Sequence, residues 1–303
     1  MIMNCAIIGS TKIAEIHAKH IINNGVKEIT FISRSQNKRK KNISNLKKIF
    51  SNQVKFFHSD IKILKKKKFN LVCICSKTEI HDTQLKLVSK LKSKVIIEKP
   101  IISLLKFKNK YQKFLDKIYK KNKKIVVCYP YLYLAKEFKK YFPITKKLKN
   151  IIFEFQTGGK STYKKICINL MPHTLSFFQS FLKKNFLRNI SNINNKLVEK
   201  NIWRVSFNFK KIKINLIFKE KYKKKTYLKF RVNDLILTRK TLKDKTKFIN
   251  YIENYITRKR KVIKNPMEQF YKEFFKNLDN TKYYKSNKIL TFELMRMNYL
   301  LLN

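Results

Sequence analysis

Glycine and proline are scarce in this chain, at four and five of 303 residues, and so are acids, with 18 Asp+Glu against 72 Lys+Arg. No apolar run approaches the roughly 20 residues that a membrane helix needs, so no membrane association is expected. Met1–Gly9 is too short for a hydrophobic signal region and reads as a first strand, which makes the expected location cytoplasmic. Cysteine is confined to Cys5, Cys73, Cys75, Cys128 and Cys167. The first four fall in expected strands and none has a zinc-like spacing with histidine. They read as reduced core residues, and no metal site is expected.

Lysine, isoleucine, asparagine, phenylalanine and tyrosine are abundant instead, and the formal net charge is +54. Such a balance raises nucleic acid as a partner. The basic runs Lys65–Lys68, Lys120–Lys124, Lys223–Lys225 and Arg258–Lys261 are scattered over loops and polar helix faces. No basic segment or binding motif gathers them, so nucleic acid is not expected. The enriched residues have A/T-rich codons and the depleted ones G/C-rich codons, which points to drift in an A/T-rich genome. Exposed charges are well screened, so each such change costs little. An apolar content of 44% supports a sizeable core, and the length suits about two domains.

Leu71–Pro100 organises the first half. Leu71–Cys75 and Val95–Ile97 are short apolar runs, as in strands covered on both faces, and His81–Lys92 between them has helical spacing. Together they make a parallel βαβ unit. Ligands of open parallel sheets sit at the strands' carboxyl ends. That rule selects Ser76, Lys77 and Thr78 at one end and Glu98, Lys99 and Pro100 at the next, although a solvated lysine fits the same position.

Cys5–Ile8, then Gly9, then a helix over Ile13–Ile22 is the context of a dinucleotide-binding turn. Gly9-Ser10-Thr11-Lys12-Ile13-Ala14 keeps the first glycine and ends on alanine, while Thr11 replaces the middle glycine. An ordinary βα turn fits it as well. A second strand, Glu28–Ser33, ends in Ser33-Arg34-Ser35, with no acid for a ribose hydroxyl. Serine and arginine suit a 2′-phosphate, which favours NADP over NAD. Further alternation follows: a helix over Asn37–Phe50, a strand over Val54–His58, a helix over Ser103–Tyr119 and a strand over Lys124–Cys128. The result is a doubly wound sheet.

These stretches resemble, in order, the glucose–fructose oxidoreductase / inositol dehydrogenase family. The glycine turn through Ala18 looks like the family's first helix. Ile74-Cys75-Ser76-Lys77-Thr78-Glu79-Ile80-His81 is similar to its I-A-T-P-N-x-x-H loop, with Lys77 in place of proline and Thr78 in place of asparagine. Glu98-Lys99-Pro100 matches its hallmark, whose lysine is implicated in catalysis and whose Lys–Pro bond is commonly cis. In the second half Asn169-Leu170-Met171-Pro172-His173 resembles its D-x-x-x-H pair, with the aspartate replaced. The resemblance implies an α/β chain: an N-terminal Rossmann domain with a doubly wound parallel sheet over 1–128, and a C-terminal α+β domain with an open, largely antiparallel sheet over 129–303. It implies NADP or NAD on Gly9, Ser10, Thr11, Lys12, Ile13, Ser33, Arg34, Ser76, Lys77, His81, Glu98 and Lys99. Lys99, His173 and Asn169 would be catalytic, acting on a sugar, nucleotide-sugar or similar polyhydroxy or carbonyl substrate. A homo-oligomer through the C-terminal sheet is also implied. The departures at Thr11, Lys77, Thr78 and Asn169 leave open a relative that keeps the fold without turnover.

The remaining elements follow from periodicity. A strand is expected over Ile151–Thr157 and a helix over Asn169–Leu182. Trp203–Phe209 and Ile212–Phe218 alternate, and Leu228–Arg239 reads as a hairpin around Asn233-Asp234. Pro266 starts a helix, Ile289–Leu302 forms the last one, and the basic stretch Lys240–Lys264 is expected to be loop-rich.

Overall fold

A computed structural model of the chain describes residues 4–50, 53–107, 110–143, 147–182, 189–244 and 247–302. The chain divides into two compact units, one of Met1–Cys128 with Phe270–Phe292, the other of Tyr129–Gln269 with Glu293–Asn303.

The first unit alternates strand and helix: β1 (Asn4–Ile8), α1 (Lys12–Ile22), β2 (Glu28–Ile32), α2 (Gln36–Phe50), β3 (Lys55–Ser59), α3 (Ile63–Lys66), β4 (Leu71–Ile74), α4 (His81–Val88), β5 (Lys94–Glu98), α5 (Leu104–Phe107), α6 (Tyr111–Lys121) and β6 (Ile125–Cys128). All five strand pairings are parallel, in the order β3-β2-β1-β4-β5-β6. Strands sealed on both faces need continuous apolar runs, and Leu71–Ile74 and Ile125–Cys128 are buried throughout. Each such large side chain contributes roughly 1.5–3 kcal/mol by leaving water. Ala14 and Ala18 are fully buried on α1, where a small side chain lets a helix approach the sheet. The long helix expected over Ser103–Tyr119 is instead α5 and α6; positions 108–109 lie outside the described residues.

The rest of the chain contributes α7 (Tyr131–Tyr141), β7 (Asn150–Thr157), α8 (Lys164–Phe181), β8 (Ile190–Glu199), β9 (Ile202–Phe209), β10 (Ile212–Glu220), β11 (Tyr227–Val232), β12 (Leu235–Asp244), β13 (Lys247–Asn254), β14 (Arg260–Ile263), α9 (Pro266–Lys276) and α10 (Thr281–Leu300). Its sheet has the order β14-β13-β12-β11-β7-β10-β9-β8, antiparallel except between β7 and β10. Alternating burial along β9 and β10 leaves one face of each packed. The β11–β12 hairpin turns through Asn233 at φ 51, a left-handed conformation that asparagine tolerates. Phe138, Phe153, Phe177, Phe178, Phe181 and Phe230 form one cluster, with Phe230 rings 4.9 to 6.1 Å from the other five. Each aromatic pair adds roughly 0.5–1.5 kcal/mol beyond its buried area.

Three expectations are corrected. Lys240–Lys264 is not loop-rich; it carries the end of β12, then β13 and β14. Tyr251, Ile252 and Ile263 are buried there, and Glu253, 1% exposed, gathers the Lys240, Arg258 and Arg260 cations. Among so many charges this sparse apolar signal reads as none. Helix α8 begins five residues before Asn169 and continues through Pro172. The last helix begins at Thr281, where polar residues mask its periodicity. Among the described residues no helix is long and apolar enough to cross a membrane.

Candidate active site

Strand order places the carboxyl ends of β2, β1, β4 and β5 side by side, with the topological switch between β1 and β4. Gly9 and Ser10 follow β1, Ser33 and Arg34 follow β2, Ser76 and Lys77 follow β4, and Glu98 and Lys99 close β5. The structure thus brings the expected first-unit residues to one end of the sheet. Gly9 has φ +135, and a Cβ there would stand 2.7 Å from the Cys75 carbonyl oxygen. Gly9→Ala should therefore lower stability by about 1–3 kcal/mol, read as an earlier midpoint in chemical denaturation; an unchanged midpoint would show that the turn relaxes freely. Ser10 Oγ and Ser33 Oγ are 2.8 Å apart and join the two turns.

Thr11 is the N-cap of α1 but makes no side-chain cap. The amides of Lys12 and Ile13 at the helix start, together with the helix dipole, suit a phosphate. A dinucleotide's pyrophosphate fits this donor set, and the exposed Arg34 guanidinium beside Ser33 suits a further anionic group.

Two histidines hold the site's framework. His81 Nδ1 is 3.0 Å from the Pro100 carbonyl oxygen and Nε2 is 3.2 Å from that of Ser76. Burial keeps its imidazole below its ordinary pKa. His81 therefore ties the loop after β4 to the Lys99–Pro100 turn, whose peptide bond is cis. His17, fully buried on α1, donates Nε2–H to Glu98 Oε1 at 2.7 Å and pairs through Nδ1 with the Tyr271 hydroxyl of α9. Burial alone would push this imidazole down; charge and hydrogen bonding from the Cys73 sulfur, itself lowered to a pKa of about 5, and from the Glu98 carboxylate outweigh it and raise its pKa to about 10. Burial pushes Glu98 up, and hydrogen bonding and charge from His17 bring it below the usual carboxylate range. Glu98 is thus turned inward, while half-buried Lys99 follows it at the strand's end. His17, Cys73 and Cys75 bring ligating atoms within 4.8 Å of one another, as do His17, Glu98 and Cys128. Both imidazole nitrogens are already engaged by Tyr271 and Glu98.

His173 and Asn169 belong to the second unit, one helical turn apart on α8. The His173 ring lies 4.5 Å from Tyr131 and 5.6 Å, edge-on, from Phe155. Asn169 donates Nδ2–H to Ser161 Oγ at 2.8 Å, and the Ser161 amide donates to the Glu220 carboxylate. Glu220, at the end of β10, thereby holds the Gly158-Gly159 turn next to α8. Sequence reasoning missed His17 as the partner of Glu98, and also Tyr271, Tyr131, Ser161 and Glu220. No local spacing links them, since His17 and Glu98 are 81 positions apart.

Residues 3–148 match the family model described as the oxidoreductase family with an NAD-binding Rossmann fold. Among curated proteins none matches the chain in sequence. Several solved structures share the fold. KijD10, a 3-ketoreductase from Actinomadura kijaniata in complex with NADP, is 9% identical with a TM-score of 0.66, over 96% of this chain and 95% of that one. The dehydrogenase MviM from Clostridium difficile is 15% identical with a TM-score of 0.60, over 97% and 99%. The UDP-N-acetylglucosamine 3-dehydrogenase GnnA from Acidithiobacillus ferrooxidans is 11% identical with a TM-score of 0.63, over 99% of each chain. The six-stranded parallel sheet and the Gly9 turn lie within residues 3–148, so the N-terminal half of the chain is similar to the NAD-binding Rossmann domain of that oxidoreductase family.

Proposed function

We propose that the chain is an NAD(P)-dependent oxidoreductase acting on a sugar, nucleotide-sugar or similar polyhydroxy or carbonyl substrate, with NADP preferred. The observation that carries this reading is the shared sheet end, where Gly9, Ser33, Ser76 and Lys99 follow neighbouring strands at the switch point. KijD10, whose structure holds NADP, and GnnA, named for a nucleotide-sugar, favour the same class. The nicotinamide supplies hydride chemistry. The first-turn amides of α1 hold the pyrophosphate, Ser33 and Arg34 take the 2′-phosphate, and Ser76 and Lys77 flank the bound group. Lys99 moves the proton of the reacting hydroxyl or carbonyl oxygen, and its ammonium stabilises a developing alkoxide. His173, on the second unit, serves as a hydrogen-bonding group or proton relay for the substrate. Asn169, tethered through Ser161 to Glu220, orients the substrate or the imidazole. His81 and Glu98 position the Lys99 turn.

Isothermal titration with NADPH and NADH tests the reading. NADPH should bind more tightly, and Arg34→Ala should weaken NADPH by about tenfold or more while sparing NADH, as expected for a lost charge-assisted hydrogen bond. Binding of neither dinucleotide would defeat the proposal; equal losses for both would remove Arg34 from the 2′-phosphate.

A further inference from the structure

Arg239 stands on β12 opposite Leu228 of β11 and Ile252 of β13, both buried. Opposite residues of an antiparallel pair share a face, so this half-buried guanidinium projects from an apolar row. Its Nη2 donates to Asn250 Oδ1 at 2.9 Å, an oxygen that also accepts from Thr241 at 3.0 Å. Its Nε is buried without a hydrogen-bond partner. Among the described residues no carboxylate lies within ion-pair distance of it: Glu253 is taken by Lys240, Arg258 and Arg260, and Glu154 by Lys219. A guanidinium carries five donors, and burying one without an anion is costly. Arg239 Cζ is 6.0 Å from the Tyr131 ring centroid, and that ring is 4.5 Å from His173. The guanidinium also hydrogen-bonds the Tyr131 hydroxyl, so this cation, without a carboxylate of its own among the described residues, sits one side chain away from the candidate proton relay.

We infer that Arg239 is a specificity-determining residue that docks an oxyanion, a carboxylate or a phosphate of the substrate, through its planar fork. The inference rests on the reading of His173 as part of the substrate site. It narrows the substrate from any polyhydroxy compound to an anionic one, with the charged group held beside the reacting carbon's histidine.

The test is titration of the full chain, saturated with NADPH to cover the dinucleotide turn, with D-glucuronate, inorganic pyrophosphate and neutral D-glucose. The charged probe should bind more tightly than glucose, and whichever of the two anions binds better identifies the oxyanion. Arg239→Gln should weaken that anion by about tenfold or more, the size of a lost charge-assisted pair. Lys211→Gln, the same charge change at an exposed turn, should leave it within about twofold; this separates docking from the general attraction of a basic chain. Arg239→Lys keeps the charge without the fork, so it should lose about threefold or more even if Arg239→Gln fails to fold. Anion affinity unchanged in Arg239→Lys and Arg239→Gln, a loss matched by Lys211→Gln, or no anion binding to the wild-type chain would each overturn the inference. The NADPH titration is read separately. Absent NADPH binding defeats the oxidoreductase reading, and the glucuronate arm then judges Arg239 on its own.

Discussion

Lys99→Ala should lower kcat by about two to four orders of magnitude, the usual contribution of a positioned proton-transfer group. The loss should appear in kcat with NADPH affinity changed little, because the proposed reading assigns the pyrophosphate to the turn amides and the 2′-phosphate to Arg34. The assay is NADPH absorbance on whichever sugar or nucleotide-sugar the wild-type chain turns over. Lys99→Arg keeps a cation to stabilise an alkoxide but cannot surrender a proton, so it should recover little. A Lys99→Ala enzyme with wild-type kcat would place the proton transfer elsewhere. Loss of NADPH affinity matching the loss of rate would mean that Lys99 binds rather than reacts.

His17→Ala should be the most destabilising change in the first unit. It strips the counter-ion from a nearly buried Glu98 and the partner from the Tyr271 hydroxyl. Breaking a buried pair from one side costs about 3–5 kcal/mol, or on the order of 10 °C in a chain of this size. The pH dependence has a definite sign. The folded imidazole pKa is raised from 6.5 to about 10. Its contribution is complete below pH 6.5 and is lost as the pH rises through about 10. The Glu98 pKa is lowered from 4.5, so its contribution is present above that value and fades as the solution becomes more acidic. The pair therefore stabilises most between the two limbs. The difference in unfolding free energy between wild type and His17→Ala should be a plateau that shrinks at both ends. A difference independent of pH would mean that the imidazole contributes by packing alone.

The inner first-unit strands were legible because strands sealed on both faces demand unbroken apolar runs, and Leu71–Ile74 and Val95–Ile97 are such runs even in a lysine-rich chain. Alternation exposed β9 and β10 for the complementary reason, one packed face and one wet. Strand β8, ISNINNKLVE, carries neither signal and owes its place to pairing with β9. The end of β12, with β13 and β14, was hidden by its cations. At the candidate site, the placement of the strand-end residues was legible because topology assigns them a position. Partners brought together from distant segments were not: His17 with Glu98, Asn169 with Ser161, and Arg239 with the ring of Tyr131. Arg239 was obscured further by being one of 72 basic residues.

The clasp around Glu253 has an evolutionary corollary. Where one carboxylate answers three cations, a substitution that neutralises a lysine or arginine leaves two others in place. Neutralising the carboxylate leaves three like charges facing one another. The chain's tolerance to change should therefore be lopsided, permissive at its many bases and unforgiving at its few acids. A saturation library scored for folded protein would reveal that asymmetry first at position 253.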